Sequence, residues 1–600
     1  MPPPRRAKAL PPPDRVPLFA LLGILLTGLV VFGRIIGHQL TNWDDDINIT
    51  NNPNLDLTSG DGFLRIWTQP YEGLYIPLTY TSWLIDRALV GTGSWSYFAV
   101  NLLLHLFSTV VVFWIVRLLV ERTGIASTLL PIIVAGGFCL HPMQVESVAW
   151  ATGRKDLLSG FFFLGTLALW LRLAPGYWHY RLVAALFGTI LSTLAKPSGV
   201  VLPVWLLLIT LLIPTPNRLR ECMALIPAFA MAIAMGILNL GVQKATTGSA
   251  PPFTMRITVM IDSLSFYWQK LILPMDLAVI YGRTPAVVLD QGILWGAVVL
   301  TVGMVACSFL LKGLARLGII LYFTFLLPVS GIVPFYFQEF STVADRYNYL
   351  GIIGMLLVVG TLAIHAANWV KIPRPGRMTG GIVILGVLSL ISMRQAGIWA
   401  NSERLWEHVR ERRPNELLAM TNLASVRNSQ GRFSEGKALA EQALAIRSES
   451  GANWNNLGVA FQGLGDHAKA LEAYQKAHKL LPQSAEAAFN AANLAIQLGE
   501  PPTAHLDALL FAAAKRPTLP NVQLITGLAL SISGRDKEAM NYLTRAIDQA
   551  PSDPRPLVAR VRAMTRLGRL EGAAIDKARL QAMLSPAEMA EYFPPEKQKP

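Results

Sequence analysis

Up to about residue 400 the apolar residues of this chain fall in long runs broken by short polar stretches. Beyond that point polar residues and regularly spaced alanines take over. Runs near 17–38, 99–120, 126–140, 157–173, 181–195, 199–213, 221–240, 291–311, 317–333, 349–370 and 379–396 approach the roughly 20 residues that carry a helix across a bilayer. The pattern predicts an all-α protein with about eleven membrane spans. The expected order is a disordered, proline-rich N-terminus over 1–16, a membrane domain over 17–396 and a linker over 397–416. A helical repeat array over 417–586 and a tail over 587–600 complete it.

The second half has a period. In "GANWNNLGVAFQGLGDHAKALEAYQKAHKLLP", Trp454, Leu457, Gly458, Phe461, Ala470, Tyr474, Ala477 and Pro482 stand where the 34-residue tetratricopeptide pattern wants them. Small residues suit close helix crossings and large ones fill the spaces between. The register continues backward through Leu423, Ala424, Gly431 and Ala443. With one extra residue it continues forward through Gly527, Leu530, Gly534, Ala539, Ala546 and Pro551. An α-solenoid of about five such repeats is expected, its groove taking a peptide or protein segment.

Composition agrees with a membrane protein. Of 600 residues 52% are hydrophobic and 15% charged, against about 25% charged in soluble domains. The net charge of +14 reflects Arg and Lys in alternate loops, among them Arg122, Arg172, Arg181, Arg218, Lys312, Arg316, Lys371 and Arg377. Those loops are expected in the cytoplasm with the N-terminus, and an odd span count places the repeats on the other side. No basic stripe marks the soluble part, which argues against nucleic acid as a partner. Cys139, Cys222 and Cys307 lie in or beside apolar runs, with neither a disulfide framework nor metal-type spacing.

Chemistry concentrates in the opposite set of loops. There stand "NWDDDINITNNPNL", "YIPLTYTSWLIDRAL" from Tyr75, "HPMQVESVAWATGRKDLL" from His141, Lys196–Pro197, "LILPMDLAVIYGR" to Arg283, and "LPVSGIVPFYFQEFSTVADRYNYL". Carboxylates (Asp44, Asp45, Glu146, Asp156, Asp345) and cations (Arg154, Lys155, Lys196, Arg283, Arg346) converge on one side. A carboxylate can take a proton from a hydroxyl, and Arg or Lys can hold a phosphate whose charge grows as its ester bond breaks. Bland readings stand beside these. The three acids can be a solvated loop, Glu146 and Arg154 a structural ion pair, Asp345–Arg346 a helix entry, and His141 before Pro142 a helix end. Asp46 and Asp156 are candidate oxygen ligands for a divalent ion.

Together, "WDDDINITNNPNL", "YIPLTYTSWLIDRAL…NLLLHLF", "HPMQVESVAWATGRKDLLSGFFFL", "LPVSGIVP" and "ADRYNYL", in that order and followed by the repeats, resemble the transmembrane and tetratricopeptide-repeat-containing (TMTC-type) O-mannosyltransferases and their bacterial relatives. The resemblance implies a C-type glycosyltransferase (GT-C) fold. It also implies inverting transfer of a sugar from a polyprenyl-phosphate carrier to a hydroxyl, on protein Ser or Thr, outside the cytoplasm. It makes Asp44 the general base and Asp45 its partner. Arg154 and Arg346, with Lys155 and Lys196, become carrier-phosphate ligands. His141, Glu146, Asp156, Asp345, Tyr75 and Arg283 become acceptor or donor contacts. Two positions depart from the family pattern: Ile76, where Arg is common, and Lys155, where a small residue is common. The sugar is therefore left open. A bacterial inner-membrane location is expected. No cofactor is certain beyond the lipid-linked donor, and a divalent metal stays open. Competing classes are another lipid-linked glycan ligase, a non-catalytic repeat scaffold for envelope assembly, and a transporter, the last disfavoured by the absence of two similar halves.

Overall fold

The computed structural model describes residues 15–57, 60–91, 93–125, 127–174, 177–244, 252–290, 293–333 and 335–594. Most of the N-terminal stretch expected to be disordered, and the last six residues of the tail, lie outside them. The described residues are mostly helical, and the chain divides into two compact units, Met1–Pro414 and Asn415–Pro600.

In the first unit, five described helices are long and apolar enough to cross a membrane: Pro17–Gly37, Trp95–Thr123, Arg218–Val242, Gly351–Trp369 and Arg374–Ile398. A sixth is formed if Leu130–Leu140 and Pro142–Ala149, bent by 51° at their junction, count as one broken span. The break has a local cause. His141 is extended before Pro142, as residues preceding proline prefer, and proline lacks the N–H that would continue the helix. The run expected at 126–140 is thus an 11-residue helix ending at a kink. Helices Arg154–Arg172 and Trp178–Ala195 have membrane length but carry more polar residues. Two helices escape a search for apolar runs, Pro77–Val90 and Phe253–Ile272. Both are amphipathic, with Tyr80, Trp83 and Asp86 buried in the first and Asp262, Phe266 and Tyr267 in the second.

The stretch expected as a linker is instead structure. Ser402–Arg412 is a helix, started by the Asn401 side chain accepting from the Arg404 N–H, and it buries Leu405, Trp406 and Val409 within the first unit. It clamps the loop that follows the first helix. Gln39 N–H donates to the Ala400 carbonyl (3.0 Å), Asn42 N–H to the Ser402 hydroxyl (2.9 Å), and the Trp406 indole to Asn42 Oδ1 (2.7 Å).

Helix Arg154–Arg172 fixes the distance between two polar ends. Its 19 residues span about 28 Å at 1.5 Å per residue, close to a hydrocarbon core of roughly 30 Å. At its C-terminal end Arg122 donates to the Leu171 carbonyl. Arg181 donates to the Leu173 carbonyl (2.6 Å) and meets Glu221 (2.7 Å). Cations there satisfy the orphan carbonyls of a helix end. At its N-terminal end stand Arg154, Lys155 and Asp156.

The second unit pairs helices: Leu417–Ser429 with Phe433–Ile446, Gly451–Gly463 with His467–Leu480, Ala485–Gln497 with Leu506–Lys515, Val522–Ile532 with Asp536–Gln549, and Pro554–Arg566 with Leu570–Met583. Gly431, Gly465, Gly499, Gly534 and Gly568 all turn in the left-handed region after the first helix of each pair. Their spacing carries the extra residue between 499 and 534. A Cβ on Gly458 would lie 2.5 Å from the Tyr474 ring, which explains the small residue at that crossing. Leu457, Ala470, Tyr474 and Ala477 are buried, Trp454 and Phe461 half-buried, and Pro482 is exposed at the turn.

Candidate functional site

The adjacent aspartates do different things. Asp45 is wholly buried and accepts four hydrogen bonds. Oδ2 takes the Thr41 N–H and hydroxyl (both 2.9 Å), and Oδ1 takes the Thr152 N–H (2.9 Å) and hydroxyl (2.6 Å). It bolts the first loop to the 151–153 turn and is not placed to orient an acceptor. Asp44 adopts φ 62, a left-handed conformation that Asp tolerates better than most residues. Its carbonyl accepts from the Asn48 N–H (2.8 Å) and side chain (3.0 Å). Its carboxylate is half-buried, takes no hydrogen bond among the described residues, and acts electrostatically on Lys155. Asp46 opens a short π-turn with other partners.

Burial pushes the Asp45 carboxyl up to about 6, against the downward pull of its four donors. Its pKa is therefore higher in the folded than in the unfolded chain. The associated stability is present below pH ~4 and lost as pH rises through about 6, a fall on the order of 2–3 kcal/mol. Thermal unfolding in detergent across pH 4–7 should show this slope. Asp45→Asn should make it shallower and cost about 1–3 kcal/mol, because an amide cannot accept at both ends. An unchanged slope in that variant overturns the assignment.

The third block supplies the wall. Trp150 donates its indole N–H to the Trp43 carbonyl (2.8 Å). The Lys155 ammonium lies 4.8 Å from the Trp150 ring centroid, with no ion pair among the described residues. Arg346 pairs with Glu146, to which it also donates its backbone N–H (2.9 Å). Its guanidinium lies among Phe337 (4.5 Å), Tyr347 (4.9 Å) and Trp150 (5.3 Å). Lys196 pairs with Asp156 and lies 5.6 Å from the Tyr347 ring. The Asp156 Oδ2 is buried without a hydrogen-bond partner among the described residues. Asp345 accepts from the Tyr281 hydroxyl (2.7 Å), and burial, reinforced by the Glu146 charge, holds its carboxyl well above the usual range.

Other expected residues are committed elsewhere. Arg154, fully buried, donates to Asp86 (2.6 Å), Asn101 Oδ1 (2.9 Å) and the Tyr97 carbonyl (2.7 Å). Its partner is Asp86, not Glu146, and its place is structural rather than on a phosphate. His141 accepts the Met143 N–H at Nδ1 (3.2 Å), and its Nε2 meets the Leu271 carbonyl (3.1 Å), so it too holds backbone. Arg283 is bound two-pronged to Asp262. Tyr75 donates to the Trp67 carbonyl (2.9 Å). Among the described residues no group of three or more His, Cys, Asp and Glu side chains comes together in a way that fits a metal, and Asp156 faces Lys196 instead.

Gly153 is required by close approach. A Cβ there would lie 2.3 Å from the Ser147 carbonyl oxygen. Gly153→Ala should cost about 1–3 kcal/mol by overpacking and lower the unfolding temperature. An unaffected melting curve would count against the tight 147–153 turn.

Sequence reasoning missed Thr41, Thr152, Asp86, Asn101 and the aromatic wall of Trp150, Phe337 and Tyr347. Most lie inside the blocks singled out in the sequence, where charge marks candidates more readily than hydrogen-bonding or aromatic partners do.

A family model, tetratricopeptide repeat, matches residues 413–486. A protein O-mannosyl-transferase of Caenorhabditis elegans, F38B6.6, is 26% identical over 190 residues, which are 30% of this chain and 26% of that protein. The human protein O-mannosyl-transferase TMTC2 is 28% identical over 203 residues, 30% of this chain and 22% of that one. The chain is similar to TMTC-type O-mannosyl-transferases. The matches span only about a quarter of those relatives' length. Protein FlbA of Caulobacter vibrioides also matches this chain, 28% identical over 154 residues, covering 25% of the chain and 26% of FlbA. Among solved structures, the tetratricopeptide protein YrrB covers 31% of this chain and 96% of its own, at 14% identity and TM-score 0.27.

Proposed function

We propose that the chain is an integral-membrane glycosyltransferase. It would move a hexose from a polyprenyl-phosphate carrier to a hydroxyl, on protein Ser or Thr, at the extracytoplasmic face and with inversion. The repeats would recruit the acceptor. One observation carries this reading: the Asp44 carboxylate acts electrostatically on the Lys155 ammonium, neither is in an ion pair among the described residues, and Lys155 lies against the Trp150 ring at one end of a membrane-length helix. In this reading Asp44 takes the acceptor proton. Lys155 meets the carrier phosphate, with Lys196 and Arg346 adding positive potential from beside it. The aromatic faces of Trp150 and Tyr347 suit a sugar ring, and the unpartnered Asp156 oxygen suits one of its hydroxyls. The similarity to proteins named O-mannosyl-transferases supports the reaction class.

The test is glycan mass spectrometry of proteins and lipids from cells lacking the gene, complemented with wild type or with Asp44→Asn. A sugar lost on deletion and restored by wild type alone supports the proposal. Full restoration by a well-expressed Asp44→Asn favours the second reading, a non-catalytic repeat scaffold. That reading draws on the internal neutralisation of Arg346 by Glu146 and of Lys196 by Asp156. Lys155→Met should raise the KM for the lipid-phosphate donor about tenfold. An unchanged KM in a reconstituted transfer assay would remove Lys155 from the phosphate site.

A further inference from the structure

The first and last membrane-length helices of the first unit share a feature that the proposed reaction does not use. Pro17–Gly37 and Arg374–Ile398 pack side by side, and a Cβ on Gly136 would touch both Ile24 of the one and Leu385 of the other. On the first helix Leu26, Val30 and Arg34 follow at four-residue spacing, all exposed. On the last, Val387, Leu390 and Arg394 follow at spacings of three and four residues and are exposed too. Such spacings put each set on one helix face. Each apolar stripe therefore ends in an arginine, at the end of the unit that carries the first loop.

The stripes converge there. A Cβ on Gly397 would lie 3.6 Å from Arg34 Nη2, so this guanidinium rests on the last helix about one turn beyond Arg394. Arg404, exposed on the helix that follows, adds a third cation. Burial first, and then the charges of Arg34 and Arg404, push the His38 imidazole down to about 4. Exposed tryptophan marks the headgroup level of a membrane. The His38 carbonyl accepts from the Ser94 hydroxyl (3.0 Å), and the next residue, Trp95, is 51% exposed.

These cations lack protein partners. The side chains of Arg34, Arg394 and Arg404 make no hydrogen bond or ion pair among the described residues. The acids beside Arg404, Glu403 and Glu407, have partners of their own. By contrast, Arg154, Arg283 and Arg346 at this end are each paired. Positive side chains are expected to gather at the opposite end, with Arg122 and Arg181. Cations above two exposed apolar stripes match a lipid laid out the same way. Its acyl chains would follow the stripes, and its phosphate would meet guanidinium groups that can grip it by paired hydrogen bonds. With no acid left to meet a choline or ethanolamine cation, a net-anionic headgroup is preferred over a zwitterionic one.

We propose that this seam binds an anionic phospholipid of the surrounding leaflet through its phosphate headgroup. The site shares no residue with the proposed transfer site, and its test does not read glycosyl transfer.

The experiment uses the full chain in detergent micelles and native mass spectrometry. Phosphatidylglycerol, phosphatidylcholine and polyprenyl phosphate are titrated separately. Phosphatidylglycerol should bind about tenfold tighter than phosphatidylcholine. Arg34→Gln with Arg394→Gln should weaken phosphatidylglycerol about tenfold and leave polyprenyl phosphate, assigned above to Lys155, unchanged. Both side chains are exposed and unbonded, so the melting curve should not move. Arg394→Gln alone, with about a threefold loss, serves if the double variant melts lower. Equal binding of the two phospholipids, full phosphatidylglycerol affinity in these variants, or a loss that falls on polyprenyl phosphate instead would each overturn the proposal.

Discussion

Asp44→Asn should lower sugar transfer by about 10²–10⁴, the usual contribution of a positioned base, while leaving the melting temperature nearly unchanged. The two halves of this result have separate causes. Asn occupies the left-handed region at least as readily as Asp, so φ 62 is kept. The bonds that hold the turn, from the Asn48 N–H and side chain, end on the carbonyl of residue 44 and not on its side chain. Only the carboxylate is lost, and it bears on Lys155. Asp45→Asn is the contrasting case, with stability lost first and activity as a consequence. Mass-spectrometric product detection beside thermal unfolding separates the two. A folded Asp44→Asn chain with full turnover would end the assignment of the base.

Arg346→Met should destabilise the membrane unit by about 3–5 kcal/mol, because it leaves Glu146 as a buried charge without its partner. The double variant Glu146→Leu with Arg346→Met should recover most of that loss, since removing both charges also removes both desolvation costs. Under the proposed function its activity should stay low, because the guanidinium that lies among Trp150, Phe337 and Tyr347 is gone. Denaturant unfolding of the four chains forms a double-mutant cycle that reads the coupling directly. Wild-type stability in Arg346→Met would show that Glu146 is already neutral.

The sequence was most informative where a pattern repeats. The repeat register, its extra residue and the buried partners Leu457, Ala470 and Tyr474 were all legible, because close helix packing selects size at fixed intervals. Apolar runs located most of the membrane-length helices. Pro77–Val90 and Phe253–Ile272 were not legible as runs, since an amphipathic helix hides half its apolar residues among polar ones. Within the site, residue type showed which charges were present but not which were already spent. Arg154 and Arg346 look alike in the sequence. Arg154 is enclosed by Asp86, Asn101 and the Tyr97 carbonyl, whereas Arg346, paired with Glu146, also lies against three aromatic rings. That difference is made by partners dozens to hundreds of residues away. Ser402–Arg412 was read as a linker because a short polar helix resembles one until its buried Trp406 finds a partner.

The clamp between the first loop and residues 400–406 also bears on how the chain is made. Asn42 is held by groups about 360 residues further along, Ser402 and Trp406. A nascent chain emerges N-terminus first, so the loop carrying Asp44 is made long before its clamp is synthesised. Contacts of such sequence separation form late and slowly. The loop would therefore remain unclamped through most of synthesis, and a chain truncated before residue 400 would present its aspartates without the contacts that hold Asn42.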